Sequence, residues 1–147
     1  MVNQTSTNKL DVTIVGGGMI THDLLLPSIY HLQRTGIVGN INVCSLNAAP
    51  LKFLKNSKDI TKAFPNQDFA AFPSINEPEE NNHPDLYKKV IAGMKPRQVV
   101  VVAMPDQLHY PVIMEALKND QHVLCVKPLV LKYEQSVEIE KMAYEKG

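Results

Sequence analysis

The chain has 147 residues, of which 44% are hydrophobic and 20% charged, with 15 basic residues balancing 15 acidic ones. This length and composition are typical of one ordinary globular domain with a proper core. The neutral balance indicates neither a nucleic-acid nor a membrane partner, and no apolar run approaches the roughly 18 residues that a membrane span needs. Because the first ten residues contain no signal segment, the expected location is cytoplasmic.

The first elements in chain order are a strand, a glycine turn and a helix. Residues 1–9 are polar and are expected to be flexible, so the domain is predicted to span residues 10–147. The sequence LDVTIV (Leu10–Val15) predicts a strand that is buried on both faces. The helix after the glycines is expected to end near Gly36, with Pro27 kinking it or limiting its first turns.

The rest of the chain continues this alternation. Further strands are predicted at 41–46, within 68–74, within 97–105 and at 122–126, and the last of them is expected to be buried. Helices are predicted within 49–57, 85–96, 109–120 and 131–147. Residues 75–84 (INEPEENNHP) are predicted to form an acidic, solvated loop. Such alternation requires right-handed crossovers and predicts an α/β, Rossmann-type, doubly wound, mainly parallel sheet with strand order 3-2-1-4-5.

The glycines after the first strand indicate either a phosphate cradle or a plain turn. In a strand–turn–helix unit of this kind, the first glycine permits a sharp turn and the second lets the backbone approach a pyrophosphate. The third position, which lets the helix pack on the strand, is Thr21 here, so the fingerprint is imperfect. No Gly-Lys-Ser/Thr follows, which excludes a Walker-type loop. The predicted cradle, at the N-terminus of a helix, consists of Gly16, Gly17, Gly18, Met19 and Ile20.

Asn47 follows the second predicted strand. Dinucleotide-binding domains carry an acidic residue near this place, which accepts hydrogen bonds from the adenosine ribose. An amide can bond a ribose hydroxyl but does not repel a 2′-phosphate, and no arginine adjoins Asn47 to attract one. Asn47 is therefore a candidate cofactor-binding residue that leaves NAD and NADP both open.

The stretch VVVVAMPDQLHYPVIMEALKNDQHVLCVKPLVL (residues 99–131) resembles the Gfo/Idh/MocA family of oxidoreductases, which includes glucose-fructose oxidoreductase and inositol dehydrogenase. In that family one strand ends in a small residue or Thr followed by Pro-Asn, with a His three residues later, and the next strand runs into Glu-Lys-Pro. This chain has Asp106 in place of the Asn and Val126 in place of the Glu. Together with VGGGMITHDLLLP (residues 15–27), the resemblance covers nearly all of residues 10–147.

The resemblance implies an NAD- or NADP-dependent oxidoreductase that transfers a hydride between the nicotinamide and a sugar, polyol or related hydroxy compound. Lys127 would be the catalytic residue, contacting the nicotinamide ribose and the reacting oxygen, and the alternative is a solvated lysine at a strand end. His109 either faces the nicotinamide pocket or begins a helix. The implied cofactor-binding residues beyond the cradle are Ala103, Met104, Pro105, His109, Lys127 and Pro128.

Val126 is the main departure, because it supplies no carboxylate to the cofactor or to the neighbouring lysine. A dinucleotide-binding sensor or scaffold without catalysis is therefore the alternative function. Methyltransferases also have a Gly-rich turn after the first strand, but a methyltransferase function would not account for Lys-Pro after the fifth strand and is therefore not favoured. The family continues into a sixth strand and a substrate domain, so we expect a truncated, inactive chain whose substrate site an absent domain completes, and a homo-oligomer at full length.

The cysteines and histidines suggest no further chemistry. Cys44 and Cys125 lie in predicted strands and are expected to behave as buried apolar thiols rather than as a disulfide or a nucleophile. No serine stands in a nucleophile-elbow pattern, so a Ser–His–Asp triad is not expected. A metal site is not expected either, for the following reason. The histidines lack metal-ligand spacing; they are His22, His31, His83, His109 and His122.

Overall fold

A computed structural model describes residues 8–147 as a five-stranded sheet covered by helices. The strands are β1 (Leu10–Val15), β2 (Val38–Cys44), β3 (Ala70–Phe72), β4 (Val99–Val102) and β5 (His122–Cys125). All neighbouring strands are parallel, and their order is β3-β2-β1-β4-β5. The predicted Rossmann-type α/β fold and strand order are confirmed. Most of the predicted flexible segment 1–9 lies outside the described residues.

Five of the six helices lie in the connections between successive strands, as parallel pairing requires, and the sixth follows the last strand. They are α1 (Leu26–Arg34), α2 (Ala48–Asn56), α3 (Lys58–Ala63), α4 (Leu86–Ala92), α5 (His109–Lys118) and α6 (Tyr133–Lys146). The short α3 was not predicted; it follows α2 directly, and the Ser57 side chain caps its first turn. None of the helices within residues 8–147 has both the length and the apolar character that a membrane crossing requires.

A turn of π-helix, Thr21–Leu25, runs directly into α1. Pro27 lies at the start of α1, where it cannot donate a backbone hydrogen bond to the preceding turn. Pro27 was predicted to kink this helix or to limit its first turns, and the structure places it where the π-helical turn gives way to the regular α-helix. This π-helical turn contains Thr21 and His22, and the Thr21 side chain contacts the glycine loop.

Two apolar layers cover the two faces of the sheet. Alternate residues of the central strands point to opposite layers, so Val101 packs on the side of α1 and α2 while Val100 and Val102 pack on the side of α4 and α5. Ile14 and Val100 are fully buried. Burying a side chain of this size contributes about 1.5–3 kcal/mol to stability, so the middle of the sheet is a rigid support for whatever its edge carries.

The structure corrects the prediction that the last strand is buried. Val123 and Cys125 of β5 pack on the layer that contains α5, but His122 and Leu124 point to the other face. Leu124 is 52% exposed. Within residues 8–147, β5 is an edge strand that pairs only with β4, so its second face lacks the cover that β1 and β4 receive.

Candidate functional site

A cavity of about 480 Å³ lies at the carboxyl edge of the sheet, where β1, β2 and β4 end. The strand order reverses between β1 and β4, and ligands of open α/β sheets bind in the crevice at such a switch point. The glycine loop, the segment after β2 and the segment after β4 form its walls. The lining residues include Gly16, Gly17, Gly18, Ser45, Leu46, His83, Pro84, Asp85, Tyr87, Ala103, Met104, Pro105 and Leu108.

Gly16 makes the sharp turn from β1 into the cavity. Its φ is +120°, and a Cβ at this position would lie 2.1 Å from the carbonyl oxygen of Ala103. The backbone on both sides is fixed, because Gly16 N–H donates to the Cys44 carbonyl at 2.8 Å and Ala103 N–H donates to the Val15 carbonyl at 2.8 Å. Only glycine fits this position, as the predicted first role of the motif requires.

Thr21 occupies the third position of the glycine motif. It is fully buried, and its hydroxyl donates a 2.6 Å hydrogen bond to the Gly16 carbonyl. A threonine in this position therefore closes the loop through its side chain, which accounts for the imperfect fingerprint.

Gly18 is open toward the cavity. It is exposed, and a Cβ there would meet no atom within 4 Å. The helical backbone starts at Met19 and continues through the π-turn into α1. Its first N–H groups have no acceptor within the helix, and the positive end of the helix dipole lies with them. A pyrophosphate fits this arrangement, since the backbone is unshielded where the free amides begin.

The end of β2 differs from the prediction. The strand stops at Cys44, so the first residue beyond it is Ser45, which is buried and lines the cavity. Asn47 does not line the cavity. Its Oδ1 accepts from Ala49 N–H at 3.2 Å and caps α2, and its Nδ2 donates to Asn82 Oδ1 at 2.9 Å. Sequence reasoning missed Ser45 because it extended the strand to Leu46.

The loop between β3 and α4 is not the free excursion that was predicted. His83 N–H donates to the Leu46 carbonyl at 2.7 Å, which holds the loop against the segment after β2. This contact adds His83, Pro84 and Tyr87 to the cavity wall. The local sequence does not predict this contact, because Leu46 and His83 lie far apart in the chain.

The segment after β4 supplies the opposite wall, and it contains the predicted residues Ala103, Met104 and Pro105. Ala103 is buried, whereas Pro105 is exposed. Leu108 and Val112 also line the cavity on this side. The structure therefore brings this part of the predicted site to the cavity.

His109 begins α5 and does not line the cavity. The ring is fully buried, with Nε2 2.7 Å from the Met104 carbonyl oxygen and Nδ1 2.8 Å from the Pro128 carbonyl oxygen. Carbonyl oxygens only accept, and a neutral imidazole has one N–H, so the neutral ring donates to one of these two carbonyls and only the protonated ring donates to both. The ring ties the segment after β4 to the segment after β5, and the alternative of a helix-initiating histidine is the one the structure supports.

Lys127 lies on the same edge of the sheet but outside the cavity wall. Val126 N–H donates to the Val102 carbonyl at 3.0 Å, which keeps the chain beside β4 up to this point. Lys127 is exposed, and its ammonium group has no ion-pair partner within residues 8–147. Within the described residues, Lys127 is thus an unpaired cation at the carboxyl edge of the sheet.

Both cysteines are free thiols. Burial raises the pKa of the Cys44 thiol to about 12 and that of the Cys125 thiol to about 11. Because thiolate is the reactive form, both groups stay protonated and unreactive near neutral pH, although Cys44 lies on the cavity wall.

Three side chains form a hydrogen-bonded series that was not predicted. Asp23 Oδ1 lies 2.6 Å from His22 Nδ1, and His22 Nε2 lies 2.8 Å from Ser57 Oγ. Ser57 also caps α3, and the series lies away from the cavity, so it joins the π-turn to the α2–α3 junction. No cluster of three or more His, Cys, Asp or Glu side chains suited to a metal occurs in the described part of the chain.

Comparison with known proteins agrees with this geometry. The sequence model of a family described as "Oxidoreductase family, NAD-binding Rossmann fold" (Gfo/Idh/MocA) matches residues 10–147. The 2,7-anhydro-N-acetylneuraminate hydratase of Escherichia coli is 44% identical over 48 residues, which are 33% of this chain and 13% of that protein. The inositol 2-dehydrogenase of Rubrobacter xylanophilus is 53% identical over 32 residues, 22% of this chain and 9% of that protein.

Among solved structures, a 3-ketoreductase from Actinomadura kijaniata in complex with NADP superposes with a TM-score of 0.63 at 21% identity. The match covers 95% of this chain and 35% of that chain. The likeness supports the fold, and the chain spans about a third of the length of such solved relatives.

Proposed function

The chain belongs to the Gfo/Idh/MocA oxidoreductase family as its NAD-binding Rossmann domain, and on this premise we propose that it serves a hydride transfer between nicotinamide and a sugar, polyol or related hydroxy compound. The observation that carries the proposal is the open backbone at Gly18, directly before the free amides of the helix. The pyrophosphate of NAD or NADP would lie over Gly16–Ile20.

The adenosine half would use the β2 side of the cavity. The Ser45 hydroxyl is the polar group that the end of β2 presents to the cavity, so it would bond the ribose. Apolar side chains from three segments, among them Leu46, Tyr87 and Met104, would enclose the adenine and exclude water from it.

The nicotinamide half would lie toward the segments that follow β4 and β5. The nicotinamide, when bound, supplies the carbon that accepts or returns the hydride. Lys127 would hold the reacting oxygen of the substrate and stabilise the negative charge that develops there. His109 would hold the Met104 and Pro128 segments at a fixed separation, so that Lys127 keeps its place relative to the cofactor.

Val126 determines that this chain supplies no carboxylate next to Lys127. The family's Glu is replaced by an apolar side chain, so Lys127 has no carboxylate from the preceding residue. The protein would therefore take its proton-transferring group, and its substrate contacts other than Lys127, from outside residues 8–147. A relative named as an inositol dehydrogenase supports a polyol or sugar substrate, and the similar proteins do not favour the non-catalytic sensor that Val126 suggests.

The test has two stages. Isothermal titration of this chain with NAD⁺ should give saturable binding of one dinucleotide. Nicotinamide absorbance should show no turnover of a panel of sugars and polyols, because positioning of the substrate is worth several kcal/mol of barrier and needs both walls of a pocket.

In a longer protein that turns substrate over, Lys127→Met should lower kcat by about 100-fold or more while the Kd for NAD⁺ stays unchanged. Lys132→Met, at the exposed N-cap of α6, is the matched control. Unchanged turnover in the Lys127 variant would show that the lysine is only a solvated strand-end residue.

A further inference from the structure

The loop between β3 and α4 carries three glutamates past the end of β2. We call residues 75–84 the acidic loop; it contains Glu77, Glu79 and Glu80. Two contacts fix it in place: His83 N–H donates to the Leu46 carbonyl at 2.7 Å, and Asn82 Oδ1 accepts from Asn47 at 2.9 Å. The acidic loop is therefore attached to the segment that follows β2.

Two basic side chains near this end of the cavity are paired with carboxylates of the acidic loop. Glu77 Oε2 lies 2.7 Å from His83 Nε2, and Glu79 Oε1 lies 3.2 Å from Lys52 Nζ. Lys52 belongs to α2, and this helix begins directly after Ser45–Asn47. His83 lines the cavity itself. A further carboxylate of the cavity wall, Asp85, is paired with Lys88 at 2.7 Å.

The charge around the end of β2 decides between the two dinucleotides. NADP differs from NAD by a phosphate on the adenosine ribose, and this ribose binds at the end of β2. A phosphate on this ribose, away from the helix amides of the glycine loop, is held best by unpaired cationic donors, of which arginine is the most effective. Here the nearby Lys52 and His83 are already paired with carboxylates, and those carboxylates would repel a phosphate dianion.

We propose that the acidic loop makes this chain selective for NAD, because Glu77 and Glu79 hold His83 and Lys52 away from a 2′-phosphate. The inference rests on the proposed dinucleotide site and adds a specificity device that lies outside the glycine loop and outside position 47. The inference also assigns a function to the two ion pairs, Glu77–His83 and Glu79–Lys52. The pairs are partly exposed, so their effect on fold stability is small while their effect on an incoming anion is direct.

The experiment compares the Kd of NAD⁺ and of NADP⁺ by isothermal titration for three forms of this chain. They are the native chain, the double variant Glu77→Gln/Glu79→Gln, and Glu80→Gln. Glu80 is the matched control, because it is an exposed glutamate of the same loop that forms no ion pair within residues 8–147. Far-ultraviolet circular dichroism melts establish that all three are folded.

We expect the native chain to bind NAD⁺ at least about tenfold more tightly than NADP⁺, and the double variant to reduce this ratio about tenfold by binding NADP⁺ more tightly. Glu80→Gln should change the ratio by less than about threefold, and raising the salt concentration should reduce the native ratio.

Three results would overturn the proposal. They are equal native affinities for the two dinucleotides, an unchanged ratio in the double variant, and a shift in Glu80→Gln as large as in the double variant. Absence of binding by either dinucleotide to the native chain would instead refute the dinucleotide site, and this inference with it.

Discussion

The two ends of the cavity are built in different ways. At the glycine end, Gly16 lies against the Ala103 carbonyl, and the buried Thr21 hydroxyl closes the loop. These backbone and buried groups leave no space for a larger side chain at Gly16. At the β2 end, partly exposed side chains such as Lys52 and Glu79 meet across a surface loop. In the proposed site, the first end would determine whether a dinucleotide is held and the second would determine which one.

The largest expected effect belongs to Gly16. Gly16→Ala places a methyl group 2.1 Å from a backbone oxygen at a φ of +120°, so either β1 or the segment after β4 must move. We expect a loss of about 3 kcal/mol or more in the free energy of unfolding, measured by urea denaturation. Gly93→Ala is the control, because its Cβ would make an ordinary contact at 3.5 Å. Equal stability of the two variants would contradict the account of a rigid glycine end.

His109→Leu extends this test to the segments after β4 and β5. The substitution fills the space with an apolar side chain of similar size but removes the ring nitrogens that lie beside the carbonyl oxygens of Met104 and Pro128. We expect a destabilisation of about 2–4 kcal/mol by urea denaturation. His31→Leu on the exposed face of α1 should change stability by less than about 0.5 kcal/mol. A His109 variant as stable as the His31 variant would show that the imidazole does not join the two segments.

Thr21→Val isolates the hydroxyl group at the third position of the motif. Valine keeps the shape and removes the hydrogen bond to the Gly16 carbonyl. The expected loss of about 1–3 kcal/mol is smaller than at Gly16, because no clash is created. Thr35→Val is the control, since that hydroxyl donates to the Leu32 carbonyl in an exposed turn. If both variants lose the same stability, the buried hydroxyl has no special part in closing the loop.

The alternation of strands and helices was enough to predict the strand order, because parallel strands and right-handed crossovers leave few arrangements. The role of Gly16 was also predictable, since strand, turn and helix are adjacent in the chain. Ser45 and the cavity wall at His83 were not, because they depend on where β2 ends and on a contact between distant segments. The exposure of Leu124 was missed for a related reason: an apolar run does not show which face a helix will cover.

The smallest expected effect is at Asn47. Asn47→Asp keeps the oxygen that caps α2 but removes the Nδ2 donor to Asn82, so the free energy of unfolding should fall by about 0.5–1 kcal/mol. The new carboxylate adds negative charge at the β2 end, and we expect the preference for NAD⁺ over NADP⁺ to increase about threefold in isothermal titration. An unchanged ratio of the two Kd values would show that position 47 does not approach the ribose.

The central claim is that a dinucleotide pyrophosphate lies over the glycine loop, and Gly18 tests it most directly. Its Cβ direction is empty, so Gly18→Val should leave the melting temperature unchanged, and a clash can arise only with a bound ligand. Isothermal titration with NAD⁺ is the measurement, and Gly93→Val, on an exposed glycine at the end of α4, is the control. We predict that Gly18→Val weakens binding at least about 30-fold while Gly93→Val binds as the native chain does. Unchanged affinity in a folded Gly18→Val protein would contradict the claim.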